Sequence, residues 1–263
     1  TGYGFILPQM LGFFLLVLIP LVNVFIYSFH DKNMLFNTNL FVGFGNYAKL
    51  FSDPLFFLTL KNTLIFSVFL VPINLALSLA LALYLGEGRF GTRYIRSVIF
   101  LPVVTSGVAW SIVWIYLLQG GNAGPVNWML AQLGIQGPNW LHEKGWAMAS
   151  VILTRVLKNL GTNVLVLYGA VVNMDQGVIE AARIDGASGG ALFRRIKLPM
   201  LMPTVLMASI VTMIGSMRVF DTIKLMTDGG PEGSTMVLVY YVYYQGFSAY
   251  QTGYASAIAV VLF

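Results

Sequence analysis

Five largely apolar stretches, roughly 5–28, 61–84, 97–118, 146–172 and 201–220, are each long enough to cross a bilayer as a helix. About 20 apolar residues span the roughly 30 Å of hydrocarbon, and backbone groups inside it must bond to one another, so runs of this kind fold as helices. A sixth segment starts near Met236, carries Tyr240, Tyr241, Tyr243 and Tyr244, and continues after Gly253 as apolar chain to Phe263. Tyrosine favours a half-wet position, which makes 236–247 a short interfacial helix and starts the sixth span near 251; one long tilted span over 236–263 fits the same residues. Either way the expectation is an all-α integral membrane protein of about six spans, a single transmembrane domain over 1–263. The chain begins at Thr1 and stops at Phe263 within an apolar run, and so reads as trimmed at both ends.

Charge supports the same class. Only 10% of the residues are charged, against about 25% in a water-soluble domain. The formal charge of +5 does not point to nucleic acid, because the basic residues sit in connections between apolar runs. Seven of them, Arg89, Arg93, Arg96, Arg183, Arg194, Arg195 and Lys197, lie in the second and fourth connections, against five lysines, 32, 49, 61, 144 and 224, in the odd-numbered ones. The positive-inside rule then puts those two connections and both chain ends in the cytoplasm. Cysteine is absent, and His30 and His142 stand in separate outer connections, so no metal cluster is expected. No GxxxxGK(S/T) or HExxH run and no catalytic constellation is present, so the chain is not expected to be an enzyme or to bind ATP itself. The first outer connection, 29–60, has room for an amphipathic segment with Tyr47, Leu50, Phe51 and Phe56 on the surface. Pro20, Pro72 and Pro102 fall inside spans one, two and three, where they read as bundle geometry, and Gly253 with Ala257 permits close helix approach.

The fourth connection is patterned beyond what a link needs. Glu180–Pro199 reads EAARIDGASGGALFRRIKLP. Helix formers Glu180, Ala181, Ala182 and Arg183 lead to Gly186, which permits a turn. A second short helix through Leu192, Phe193 and Ile196 leaves Arg194, Arg195 and Lys197 free for anionic headgroups. Leu198 before Pro199 is pushed away from helix, so the fifth span is expected to start afresh there. Such a knob suits docking in a groove on another protein, or it anchors the bundle as an interfacial hairpin.

EAARIDGA at 180–187 with IKLP at 196–199 resembles the cytoplasmic signature of the inner-membrane permease subunits of bacterial binding-protein-dependent ABC importers. NYAKLFSDPLFFLTLKNT at 46–63, Arg96 with FLP at 100–102, GPVN at 124–127, FD at 220–221, TDGGP at 227–231 and GYASA at 253–257 resemble the carbohydrate branch, the maltose and glycerol-phosphate type. The resemblance implies a type I permease bundle in the bacterial inner membrane, with 175–199 as a cytoplasmic coupling loop. It implies two cytoplasmic ATP-binding subunits that hold ATP and Mg, a second homologous permease, an external or periplasmic solute-binding protein and a carbohydrate cargo, with no cofactor in this chain. By similarity, Glu180 faces the ATPase, Ala181 and Ala182 form a closely packed pair, Gly186 makes the turn, and Asp185 and Pro199 match the pattern. The chain departs from its relatives at 173–177, NMDQG, where a Pro is usual, and at Arg155, where the branch has Trp.

Arg155 and Lys158 lie three residues apart on one face of span four, close to mid-membrane. A cation there costs about 2.5–3.5 kcal/mol on the gentlest insertion scale, so the pair must reach water, a carboxylate or helix-end carbonyls. It is a candidate lining of the translocation path, continued by Asn159, Asn163 and Tyr168. Alternatively both side chains reach the outer headgroups or pair with Asp221. The function expected is half of the pore of an ATP-driven carbohydrate importer. An ion-coupled secondary carrier is the first alternative, although no acidic residue falls inside a span and no internal repeat is evident. A non-transporting membrane scaffold is the second.

Overall fold

The computed structural model describes residues 2–88 and 91–263; Arg89, one of the seven basic residues above, lies outside the described residues. The elements are α1 (Tyr3–Ser28), a hairpin of β1 (His30–Asn33) and β2 (Thr38–Phe41), α2 (Gly45–Ser52), α3 (Pro54–Gly86), α4 (Thr92–Val104), α5 (Gly107–Leu117), α6 (Pro125–Gln132), α7 (Trp146–Val172), α8 (Gln176–Ile184), α9 (Gly189–Met217), α10 (Asp221–Met226), α11 (Leu238–Tyr243) and α12 (Thr252–Leu262). Among the described residues four helices, α1, α3, α7 and α9, are long and apolar enough to cross a membrane, and α4 with α5, where the third span was expected, is an apolar pair bent by 110° at a short break. The short apolar α12 stands where the sixth span was expected, separated from α11 by a break before Thr252. The packing groups into two compact units, residues 1–62 with 236–263 and residues 63–235, with the boundary inside α3.

In the first unit, α12 packs along the end of α1 and against the hairpin. The approach is close because position 253 has no side chain: a Cβ there would strike the His30 carbonyl. The hairpin and α2 were not distinguished in the sequence, and two of the four surface aromatic or aliphatic residues expected there turn inward. Leu50 and Phe56 are buried with Leu238, Tyr241, Tyr254 and Ile258, while Phe51 stays exposed. Polar ties complete the unit. Asn46 Nδ2 donates to the Ser28 and His30 carbonyls, each at 2.9 Å, and the hydroxyls of Tyr241 and Tyr254 donate to Asp53 Oδ2, the latter at 2.6 Å. Burial pushes the Asp53 carboxyl up. The two hydroxyls and the N–H groups of Leu55 and Phe56 more than offset this and hold it below the usual carboxylate value.

In the second unit, α3, α7 and α9 share a buried polar seam. Asn74 Nδ2 on α3 donates to the Val156 carbonyl of α7 at 2.8 Å, and Ser216 on α9 donates to Ser67 Oγ at 2.8 Å. Inter-helix hydrogen bonds of this type replace the hydrophobic drive that lipid removes. Close approach is again set by glycine: at Gly161 a Cβ would stand 2.5 Å from the Ile99 carbonyl, which packs α4 directly on the α7 backbone.

Candidate functional site

At the end of the second unit that carries 175–199, Asp175 caps α8 by accepting from the Gly177 N–H at 2.8 Å. Ile179 and Ala182, three residues apart and so on one face, are buried with Ala82, Leu167, Val171, Leu192 and Leu201. Glu180, Ala181, Arg183, Ile184 and Asp185 look outward, and Ile184 is 87% exposed. The two alanines expected to pack together are therefore divided, Ala182 inside and Ala181 outside, because consecutive helical residues point about 100° apart. Gly186 ends the helix at φ +86°, with its N–H on the Arg183 carbonyl and the Ala187 N–H on the Ala182 carbonyl at 2.9 Å.

The fresh start expected at Pro199 does not occur. The helix runs unbroken for 29 residues from Gly189 to Met217, with Pro199 exposed within it. The Phe193–Lys197 turn is a wider π turn in which the Leu198 N–H bonds to the Phe193 carbonyl, and this local rearrangement lets the helix pass a residue that has no donor. Two cavities of about 320 and 280 Å³ lie between this segment and the end of α3, and Leu83, Glu87, Arg183 and Lys197 line both.

Farther along α7, both mid-span cations find partners. Arg155 Nη1 lies 3.5 Å from Asp221 Oδ1, with the two side chains 19% and 39% exposed, while Arg155 Nε is buried without a hydrogen-bond partner. Lys158 Nζ donates to the carbonyls of Pro102 and Thr105. Both carbonyls lie at a discontinuity of the third span, where α4 stops at Val104 and α5 begins at Gly107; the Pro102 carbonyl also accepts from the Thr105 N–H at 3.3 Å. Ser106 Oγ accepts from the Ala109 N–H at 3.1 Å and so caps a new helix. Pro102, read as bundle geometry, sits in the last turn before the break, and the Thr-Ser-Gly run that follows was the missed signal. Asp221 Oδ2 lies against Gly107, where a Cβ would collide with it. The broken span thus turns its carbonyl end to an ammonium and its N–H end to a carboxylate, as helix dipoles favour.

The other path residues divide. Asn163 is buried, donating to Asn74 Oδ1 at 2.5 Å and to Thr212 Oγ1 at 2.8 Å, so its amide is committed to holding α3, α7 and α9 together. Tyr168 accepts from Arg96 Nη2 at 2.5 Å, with the guanidinium 4.6 Å above its ring. Asn159 is partly exposed on the face that carries Arg155. Sequence reasoning missed Asn74, Ser67, Thr212 and Ser216, which are isolated polar residues in apolar runs and acquire meaning only once the helices are side by side.

The family of binding-protein-dependent transport system inner membrane components matches residues 75–263. The chain is 33% identical over 271 residues to the lactose transport system permease protein LacF of Rhizobium radiobacter, covering all of this chain and 89% of that one. It is 31% identical over 267 residues to the trehalose/maltose permease MalF of Thermococcus litoralis, covering all of this chain and 88% of that one. Against the sn-glycerol-3-phosphate permease UgpA of Yersinia pestis identity is 30% over 263 residues, covering 99% and 88%. The fold is shared with a chain of a bacterial alginate ABC transporter solved in complex with an alginate pentasaccharide-bound periplasmic protein, with a TM-score of 0.85 at 22% identity over 98% of this chain and 87% of that one.

Proposed function

We propose that this chain, which belongs to the family of binding-protein-dependent transport system inner membrane components, forms half of the translocation pore of an ATP-driven carbohydrate importer. The chain is a membrane permease subunit and not an enzyme. ATP and Mg are held by two cytoplasmic ATPase subunits, a second homologous permease completes the pore, and an external or periplasmic binding protein delivers the sugar. Both chain ends face the cytoplasm. Relatives named for lactose and for trehalose and maltose support a carbohydrate cargo.

The observation that carries the coupling role is the two-sidedness of α8. Ile179 and Ala182 fix it to the core shared by α3, α7 and α9, while Glu180, Ala181, Ile184, Asp185 and Gly186 form an exposed knob with an apolar tip. An exposed leucine-sized side chain flanked by charges is suited to a groove on a partner, as the rigid mounting behind it passes a push into the spans. Pro199 lies on the outer surface of the adjoining helix. Within the membrane, Arg155, Lys158 and Asn159 line the path; Asn163 and Tyr168 support it from within the bundle.

The test is co-purification with the ATPase subunits and ATP-driven uptake in proteoliposomes, before and after Gly186→Leu with Glu180→Lys. Complex formation and uptake both fall at least about tenfold, as truncation of a central contact does. Full complex and full uptake in the double variant would overturn the coupling role.

A further inference from the structure

The cations of α7, the carboxylate of α10 and the gap in the third span form one arrangement that lining a path does not by itself account for. Three charges meet at the break between α4 and α5. Lys158 holds the carbonyl end through Pro102 and Thr105; Asp221 stands at the other lip beside Gly107; Arg155 joins Asp221 from behind at 3.5 Å. The Thr105 N–H meets the Pro102 carbonyl, and the Ala109 and Trp110 N–H groups meet Ser106. The ammonium adds a donor at the carbonyl end and the carboxylate a favourable charge at the N-terminal end, and without them the two half-helices gain by rejoining. The charges therefore oppose straightening. Trp110 adds a tie on the α5 side, its Nε1 donating to the Thr154 carbonyl of α7 at 3.0 Å.

Asp221 is also placed at the end of a rod. The unbroken helix α9 is 29 residues long, about 43 Å at 1.5 Å per residue, and starts in the cytoplasmic segment. Asp221 follows its last residue by four positions, and Val219 and Ile223 on either side are both buried, so the link gives little slack. Displacement of the cytoplasmic end reaches Asp221 as movement of the carboxylate relative to Gly107 and Arg155.

We infer that Arg155, Lys158 and Asp221 are a charged staple that keeps the third span bent, and that α9 works this staple from its cytoplasmic end. The second half rests on the coupling role proposed for 175–199. All three are positioning residues, and the staple makes the bend a two-state element: closed when the carboxylate sits between Gly107 and Arg155, open when α9 draws it away.

Because the chain has no cysteine, Val98→Cys and Ile112→Cys give one spin-label pair on exposed sites of the two arms. The measurement is the label-to-label distance in the full importer, with its permease and ATPase partners, in lipid nanodiscs. In the nucleotide-free state the unchanged protein gives a short, narrow distribution; Asp221→Asn and Lys158→Met each lengthen and broaden it. Lys158→Arg keeps it short, and Asp221→Glu, which retains a carboxylate near Gly107, lengthens it less than Asp221→Asn. Gly107→Ala, which retains every charge but displaces the carboxylate, lengthens it too and serves if the charge variants fail to assemble. A non-hydrolysable ATP analogue shifts the distance in the unchanged protein and not in Asp221→Asn. Distances unmoved by Asp221→Asn, Lys158→Met and Gly107→Ala overturn the staple. A distance indifferent to nucleotide in an importer that still takes up sugar overturns the link to α9, and the coupling role, read from the Gly186 and Glu180 variants, stands or falls separately.

Discussion

The segment 175–199 and the interior of the same unit satisfy their polar groups in opposite ways. In the segment the caps and turns are short in sequence: Asp175 to Gly177, Ala187 to Ala182, Leu198 to Phe193. In the interior the partners are far apart: Asn163 to Asn74, Ser216 to Ser67, Arg155 to Asp221. Local satisfaction leaves an outer face free for another molecule, since the segment's caps and turns are made within it while its apolar face, Ile179 and Ala182, mounts it on the bundle. Tertiary satisfaction does the reverse; it uses up the polar groups to fix helices against one another in a medium where burial of apolar surface contributes nothing between them. A change in the first region is therefore expected to act on partners and transport, and in the second on assembly.

The largest effect breaks the interior by volume. Gly161→Leu places a side chain where a Cβ already meets the Ile99 carbonyl and Val103, so α4 must leave α7. Overpacking of this kind costs about 3 kcal/mol, and thermal unfolding in detergent should show a large loss in Tm. Next comes Asn163→Leu, which removes two inter-helix hydrogen bonds and leaves Asn74 Oδ1 with Ser78 Oγ at 3.4 Å and Thr212 with its bond to the Ala208 carbonyl, both within their own helices. The expected loss is about 1–2 kcal/mol, the upper part of the range for such bonds in membranes. Neither variant touches the exposed knob, so the ATPase should still bind whatever fraction folds. If Asn163→Leu instead leaves Tm unchanged and alters sugar uptake alone, its amide faces the path and the division drawn above fails.

This division also accounts for what could be read from the chain alone. Spans one, two, four and five were legible because a bilayer-length apolar run admits one backbone solution, and the knob was legible because Glu180–Gly186 makes its own caps and turn. The break at 105–106 was hidden under apolar residues that serve equally well for one span or for two half-helices. Ser106 supplied a capping signal, but the ammonium of Lys158 and the carboxylate of Asp221 that meet the gap both arrive from elsewhere in the chain. Arg155 and Lys158 were recognised as needing a carboxylate or helix-end carbonyls; which of them took which depended on that break. Asn163 and Tyr168 were placed with the path by their spacing, whereas helix rotation decides it and turns Asn163 inward.

A smaller effect sharpens the local side of the comparison. Asp175→Ala removes the cap of α8, and N-cap loss costs about 1 kcal/mol. Because the cap is confined to the segment, Tm should drop little, while ATPase affinity measured by co-purification drops more than stability does. Equal losses in the two readouts would mean that α8 is held by the bundle and not by its own ends.

The smallest effect is conditional on pH and tests tertiary satisfaction in the first unit, where Asp53 accepts from Tyr241 and Tyr254. A carboxyl held below its unfolded value stabilises the fold while ionised. The contribution is complete above the ordinary value of 3.8, and it fades as pH falls through the depressed folded value. Tm followed from pH 7 downward should therefore hold level with respect to this group until the solution is more acidic than about 4, then decline, and Asp53→Asn should remove that acid-side component. The drop is modest because a protonated Asp53 still offers oxygen acceptors to the two hydroxyls. A decline that begins near neutrality, or one that Asp53→Asn leaves intact, would show that the carboxylate does not bind these tyrosines in solution and that the first unit is tied by its hairpin and backbone bonds, as the cytoplasmic segment is by its own.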